Sequence, residues 1–270
     1  MAFVIVTVVV LFVLMAVFAP LLAPHDPTEA DLFRRLQPPF WVDGGELAYP
    51  LGCDALGRDI LSRIIYGARV SIFVGVVVVL MATVIGVMAG LAAGYLRGWI
   101  DTVISGLVDI LLSFPYLIFA IGLMAMMGPG VGNIVLALVY KEWVIPCRVV
   151  RGETLAAREM EYVEAARAIG ASRRTIMLRE VLPNILSSVI VIATMRIAQV
   201  IILEASLSFL GLGVQPPTPS WGAMVADGRS FMLDAWWVST FPGFAILLLV
   251  LAINLAGQAL REAFDPRLRD

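Results

Sequence analysis

The chain is poor in the residues that carry most enzymatic chemistry. Among its 270 residues there is one histidine, His25, and one lysine, Lys141. This scarcity argues against most metal sites, a serine–histidine pair within an apolar segment, and the phosphate loop that ends in Gly-Lys-Ser/Thr. We therefore expect no bound metal or cofactor, and any ATP that this protein uses must be bound by another chain.

Charge is also scarce. Charged residues make up 15% of the chain and apolar residues 60%, with a mean hydropathy of +0.93, whereas soluble proteins average ~25% charged and ~45 to 50% apolar. A helix needs ~20 apolar residues to cross ~30 Å of hydrocarbon. The composition predicts an all-α protein surrounded by membrane lipid, with no room for a large soluble domain. The net charge of −2 argues against nucleic acid as a partner.

The gaps between charged residues predict six transmembrane helices. They lie at about 3–22, 70–96, 103–127, 131–147, 185–212 and 236–260. A secretory signal peptide is the alternative for the first, but no basic residue precedes Phe3 and the apolar run is longer than the usual ~7 to 15 residues. The missing basic residues also indicate that a cytoplasmic tail has been lost or never existed.

Arginine is distributed unevenly between the two predicted sides. We divide the chain into a first transmembrane helix (1–24), an extracytoplasmic loop (25–68), a core of five helices (69–260) with a polar loop at 148–182, and a tail (261–270). The polar loop, the turn at 95–101 and the tail share one side and hold eleven arginines, against six on the other. By the positive-inside rule, the polar loop and both termini are cytoplasmic.

Within this polar loop, the spacing predicts two helices joined by a sharp turn. The first begins at Glu161, and its apolar residues share one face: Tyr162, Ala165, Ala166 and Ile169. Gly170 ends this helix by adopting a left-handed conformation. Ser172 caps the second helix, which we expect to run to Pro183, where the fifth span begins.

The first of these helices has two interpretations. Its two alanines leave a shallow exposed surface that the groove of another protein can approach closely, within a ring of charged residues: Glu161, Glu164, Arg167, Arg173 and Arg174. Alternatively, it is an amphipathic helix that lies on anionic lipid, which its arginine content favours. The spacing alone does not decide between them.

Charged residues also interrupt the predicted spans, and we take them as the candidate residues of a translocation path: Asp109, Lys141, Glu142, Arg196 and Glu204. A charge at the bilayer centre costs ~2.5 to 3.5 kcal/mol, so these side chains should face protein or water. In one interpretation, Glu142 or Glu204 neutralises Lys141 or Arg196 between helices. In the other, Arg196 lines a translocation path and attracts a substrate carboxylate. A secondary transporter or channel would use such charges, whereas an intramembrane enzyme would need a nucleophile with a base or metal in reach.

Two further patterns predict contacts. Gly86, Gly90 and Gly94 repeat a small residue every fourth position, which predicts close packing of the second span against the third span or a partner subunit. We interpret Trp221, Trp236 and Trp237 as anchors at the membrane surface.

Five separated blocks of the chain follow one another in a recognisable order. They are LGCDALGRD at 51–59, YGAR at 66–69, VDILLSFP at 108–115, EASLSFLGLGVQPPTP at 204–219 and DPR at 265–267. Together with Glu164-Ala165-Ala166, Gly170 and Leu182-Pro183, they resemble the permease subunits of bacterial ABC importers of the dipeptide, oligopeptide and nickel family, in particular the DppC or OppC type.

The resemblance implies a type I permease fold with a coupling helix pair of the EAA type between spans four and five. It implies a non-catalytic subunit for ATP-driven import of dipeptides, oligopeptides or related solutes, located in the bacterial inner membrane. The implied partners are a second homologous permease, two ATPase subunits and an extracytoplasmic substrate-binding protein. The implied ATPase-docking residues are Glu161, Tyr162, Glu164, Ala165, Ala166, Ile169 and Gly170.

Overall fold

A computed structural model describes residues 2–264, and in that range every regular element is helical except for one antiparallel bridge between Cys53 and Asp59. The helices are α1 (Ala2–Val17), α2 (Ala19–Leu22), α3 (Ile60–Leu96), α4 (Gly98–Ser113), α5 (Tyr116–Met127), α6 (Val131–Glu142), α7 (Val144–Ala157), α8 (Glu161–Ala168), α9 (Arg173–Thr175), α10 (Leu182–Phe209), α11 (Trp221–Gly228) and α12 (Trp237–Phe264). The predicted all-α class is confirmed. Most of the predicted tail, including the block at 265–267, lies outside the described residues.

The long apolar helices match the predicted spans only in part. Within residues 2–264, three are long and apolar enough to cross a membrane: α3, the continuous helix Arg173–Phe209, and residues Trp237–Ala263 of α12. A fourth candidate is the pair α4 and α5, which is bent by 92°. With 16 residues, α1 is shorter than the ~20 that a span needs, and predicted span four is divided between α6 and α7. The count of six spans therefore stays a prediction.

The second helix of the polar loop is not a separate element. From α9 the chain passes through a π-helical turn, Ile176–Val181, into α10, so that one continuous helix, Arg173–Phe209, joins the polar loop to the fifth span. Pro183 lies in the first turn of α10. A proline lacks the N–H that a regular helix uses, and the irregular turn just before Pro183 accommodates this loss. The expectation that a helix ends at Pro183 is wrong.

The helix α3 begins earlier than the sequence predicts. Asp59 is its N-cap, and the Asp59 carboxylate accepts a hydrogen bond from the Ser62 backbone N–H at 2.8 Å. The helix then runs for 37 residues. The last part of the predicted loop 25–68 is therefore the first two turns of α3.

The glycine repeat of α3 lies against α7. A Cβ added at Gly90 would lie 2.6 Å from the Cys147 carbonyl oxygen, and one at Gly94 would lie 2.7 Å from Thr154 Cβ. Gly86 meets the start of α7 in the same way. Only glycine permits this approach of the two backbones. The predicted contact with span three or with a partner subunit is therefore wrong.

Two of the three predicted tryptophan anchors are core residues. Trp221 is fully buried, and its indole N–H donates to the Ile64 carbonyl oxygen at 2.9 Å. Trp237 is also buried, and its N–H donates to the Cys53 carbonyl oxygen at 3.3 Å. A buried tryptophan needs an acceptor for its indole N–H, and each of these two side chains has one. Trp236 remains partly exposed.

Candidate functional site

The helix α8 is short but well terminated. The Gly170 N–H donates to the Arg167 carbonyl, the Ala171 N–H donates to the Ala166 carbonyl, and Gly170 has φ +81°. These two bonds form a Schellman motif, which satisfies carbonyls that the end of a helix leaves free. Ser172 then caps the next helix through the Thr175 N–H. The predicted turn at Gly170 and the cap at Ser172 are confirmed.

The buried face of α8 is not the one that its alanines predict. Val163 and Ala166 pack into a hydrophobic cluster with side chains of α3, α7 and the helix that follows. The exposed face carries Tyr162, Ala165 and Ile169, and Ile169 is 85% exposed. The expectation that both alanines lie on the exposed surface is wrong for Ala166, because Val163, three residues earlier, turns this side of the helix inward.

The predicted docking residues thus form one surface with a single exception. All are exposed except Ala166: Glu161, Tyr162, Glu164, Ala165, Ile169 and Gly170. An exposed isoleucine and a half-exposed tyrosine beside two carboxylates give a small apolar patch with a charged rim. Such a patch is suited to the groove of another protein.

Within the helices, Glu142 and Arg196 form a two-armed ion pair. Arg196 Nη2 donates to Glu142 Oε2 at 2.9 Å, and Arg196 Nε donates to Glu142 Oε1. Glu142 is almost fully buried and the Arg196 side chain is 19% exposed. The pair joins the end of α6 to the middle of α10, and each group neutralises the other within the protein.

Lys141 lies next to this pair but has a different role. Its ammonium group donates to the Phe114 carbonyl oxygen and lies over the rings of Tyr116 and Phe119, 5.4 and 5.6 Å from their centroids. Pro115 favours an extended backbone at Phe114, which ends α4, so the Phe114 carbonyl lies between the two helices and can accept from Lys141. Lys141 thereby stabilises the 92° bend between α4 and α5.

Glu204 and Asp109 are separate from this cluster. Glu204 is fully buried and accepts hydrogen bonds from Ser71 Oγ at 3.0 Å and Ser208 Oγ at 2.8 Å, so it links α10 to α3. Asp109 is exposed on α4 and lines a cavity of about 220 Å³ together with Arg148.

The sequence analysis did not anticipate the partners of these charges. Ser208 was foreseeable, because it lies four residues after Glu204 on the same helical face. Ser71 and the Phe114 carbonyl were not, since they depend on how distant segments pack.

Near the start of α3, the block at 51–59 forms a turn that is held together by ion pairs. Arg58 Nε donates to the Asp54 carboxylate at 2.7 Å, and Arg63 Nε lies 3.5 Å from the same carboxylate. Arg58 also reaches Asp227 of α11 at 3.7 Å. Burial raises the pKa of the Asp227 carboxyl, against the opposing effect of Arg58. These pairs fix the loop against α3 and α11.

Comparison with known families gives a clear result. The family described as binding-protein-dependent transport system inner membrane component matches residues 82–270, and the N-terminal transmembrane domain of oligopeptide transport permease C matches residues 1–39. The chain belongs to this permease family. The predicted resemblance is confirmed.

Curated relatives and solved structures agree with this assignment. The chain is 43% identical to the di/tripeptide transport system permease protein DppC of Pseudomonas aeruginosa, over 96% of this chain and 86% of the relative. It is 44% identical to the glutathione transport system permease protein GsiD of Escherichia coli, over 97% and 84%. The fold is similar to the inward-facing MetNI methionine ABC transporter, with a TM-score of 0.62, 18% identity and coverage of 76% and 98%.

A second solved structure, an amino acid ABC transporter with histidines, has a TM-score of 0.58 at 14% identity and covers 76% of this chain and 95% of that chain. At these identities the likeness shows the fold alone. The predicted permease-like fold is confirmed, and the curated relatives confirm a non-catalytic permease subunit rather than a secondary transporter, channel or enzyme.

The Glu142–Arg196 pair predicts a specific pattern of stability. Either Glu142→Gln or Arg196→Gln leaves one buried charge without its partner, which costs about 3 to 5 kcal/mol. The double variant removes both charges, so its loss of stability should be smaller than the sum of the two single losses by roughly 1 to 3 kcal/mol. Unfolding of the four proteins in detergent measures this difference. Losses that simply add would show that the two charges are not coupled and would contradict the ion pair.

Proposed function

We propose that this chain forms half of the translocation path of an ATP-driven importer for peptides or peptide-like solutes. Two relatives that cover most of its length are named for di/tripeptide and glutathione transport, and both substrates are peptides with free carboxylates. The complex contains a second homologous permease, two ATPase subunits and an extracytoplasmic substrate-binding protein. The receptor and the paired permeases together select the substrate.

One observation carries the proposed mechanism. The exposed face of α8 connects through the Gly170 turn to a single helix, Arg173–Phe209, which reaches the buried charge cluster. Arg196 lies ~35 Å from Arg173 along this helix at ~1.5 Å per residue. A displacement of α8 by an ATPase subunit is therefore transmitted through one short turn to a continuous helix that reaches the level of Arg196.

The charges act as connections along this route. The Glu142–Arg196 pair joins the helix Arg173–Phe209 to α6, and Lys141 joins α6 to the bend between α4 and α5. Because Glu142 already neutralises Arg196, we assign Arg196 to this connection rather than to the substrate. Asp109 is the exposed charge of the predicted set, and we place it facing the water of the path.

The proposed orientation has residues 25–68 and 214–234 outside and the polar loop 148–182 in the cytoplasm. Arginine asymmetry supports this orientation. The exposed side chain of Leu233, at 98%, lies in the outer loop, and Ser172 lies exposed in the polar loop. These two positions provide a direct test.

Cysteines placed at these positions should report the orientation. In spheroplasts, an impermeant maleimide should label Leu233→Cys, whereas Ser172→Cys should react only after permeabilisation. The native cysteines give little background: Cys53 and Cys147 are both buried, and burial raises the pKa of the Cys53 thiol to about 12, so at neutral pH little of it is the reactive thiolate. The opposite labelling pattern would reverse the topology.

The Gly170 turn provides the test of coupling. Among the described residues, no side chain or distant backbone atom lies within 4 Å of a Cβ built at Gly170, so Gly170→Ala adds only the strain of a left-handed alanine, about 1 to 2 kcal/mol. This strain changes the direction of α8. In vesicles that contain the complete importer, labelled dipeptide uptake and transport-linked ATP hydrolysis should both fall several-fold, while the subunit still assembles.

Gly152→Ala is the matched control. Gly152 lies within α7, and its Cβ position is equally open, but its helical backbone accepts alanine without strain. It should transport like the wild type. Normal uptake with Gly170→Ala would contradict the proposed role of α8. If the wild-type importer took up no peptide at all, only the proposed substrate class would be contradicted.

A further inference from the structure

A cavity rich in arginine lies on the inner side of α8. It measures about 400 Å³ and is enclosed by the ends of α3 and α7, by α8, and by the start of the helix Arg173–Phe209. Its lining includes Tyr95, Leu96, Arg97, Arg158, Arg167 and Arg173. Among the described residues no acid lines it. Four cations around one small space constitute a concentrated positive site.

Two of these arginines are held in place by internal bonds. Arg158 Nη1 donates to the Tyr95 carbonyl oxygen at 3.0 Å, and Arg167 Nη2 donates to the Arg158 carbonyl oxygen at 3.1 Å. Both guanidinium groups lie over the Tyr95 ring, at 5.9 and 5.7 Å from its centroid. Each guanidinium has five N–H donors, so these bonds orient the groups and leave most donors free.

Among residues 2–264, the other donors have no strong acceptor. Arg158 Nε is buried and makes no hydrogen bond, although the Glu159 carboxylate lies 3.2 Å away. The same carboxylate is 4.0 Å from Arg97, and its side chain is 64% exposed. An exposed pair of this kind contributes little. The cavity therefore has more donors than the part of the chain that the structure describes can satisfy.

The depth of the cavity indicates the source of its ligand. Arg97 directly follows α3, a 37-residue apolar helix long enough to span the bilayer. The end of such a helix lies at the level of the lipid headgroups. Leu96 and Ile176 form an apolar wall beside the arginines. Basic pockets between helices at this depth are suited to lipid phosphates.

The docking surface of α8 faces away from the arginine-rich cavity. Ala165 on the exposed face and Arg167 in the cavity are two residues apart, which places them ~200° apart around the helix. A protein centred on Tyr162, Ala165 and Ile169 therefore approaches α8 from the side that faces away from Arg167. This geometry favours a ligand that enters from the membrane over an acidic side chain of the docked partner.

We propose that the cavity binds the phosphodiester of an anionic lipid headgroup. A phosphate accepts paired hydrogen bonds from guanidinium groups, which arginine presents in a planar fork. A zwitterionic headgroup fits less well, because its own cation would lie among four arginines. The bound lipid would fill the space beneath α8 and stabilise the position of α8 relative to the end of α3.

The double variant Arg97→Gln/Arg173→Gln tests the proposal. It removes two of the cavity's charges and leaves the bonds of Arg158 and Arg167 intact. The control is Arg174→Gln/Arg179→Gln, which makes the same charge change at exposed residues of the same helical stretch that do not line the cavity. The full-length chain is purified in detergent, supplied with phosphatidylglycerol or phosphatidylcholine, and analysed by native mass spectrometry.

We expect the wild type and the control to retain one phosphatidylglycerol molecule. The cavity variant should retain at least fivefold less phosphatidylglycerol. All three proteins should retain phosphatidylcholine only weakly. Inorganic phosphate at 10 mM, a concentration chosen for the assay, should not displace the lipid. Equal loss in the cavity variant and the control would overturn the proposal. Displacement by inorganic phosphate would overturn the lipid as the source. Single Arg97→Gln provides the same comparison if the double variant aggregates.

Discussion

The structure depends on the rule that a charge within a membrane-spanning segment must face a partner in the protein, or water, rather than lipid. Glu142 and Arg196 satisfy this rule with a two-armed pair between α6 and α10, and Lys141 satisfies it with the carbonyl that the α4–α5 bend leaves free. Water is absent from the hydrocarbon and cannot replace these partners. The three charges thereby fix three helical segments relative to one another at a single level.

These contacts hold the helix Arg173–Phe209 in position among its neighbours. A helix that only crosses the membrane could move independently of its neighbours, but Arg173–Phe209 is held by Arg196 near its middle and by Glu204, which accepts from Ser71 of α3. Its other end emerges next to α8. The permease thus connects an exposed protein surface to its intramembrane packing through one continuous helix.

Local chemistry was predictable from the sequence, whereas packing partners were not. Gly170 and Ser172 specify their turn and cap within a few residues, and both predictions hold. Pro183 failed as a helix end because tertiary structure maintains a helix through an irregular turn. Gly90 signalled close packing correctly, but its partner, α7, follows only from three-dimensional contacts. The burial of Ala166 also could not be predicted from spacing alone, because it depends on the packing of Val163 against neighbouring helices.

The claim that Arg173–Phe209 moves as one body is tested most directly by a distance within it. Nitroxide labels at two exposed positions, Arg174 and Ile202, should lie ~40 Å apart at ~1.5 Å per residue. Double electron–electron resonance on the complete importer should give the same narrow distribution without nucleotide and with ATP bound. A shift of several ångströms, or a second population, would show that the π-helical turn bends and would contradict transmission through a rigid helix.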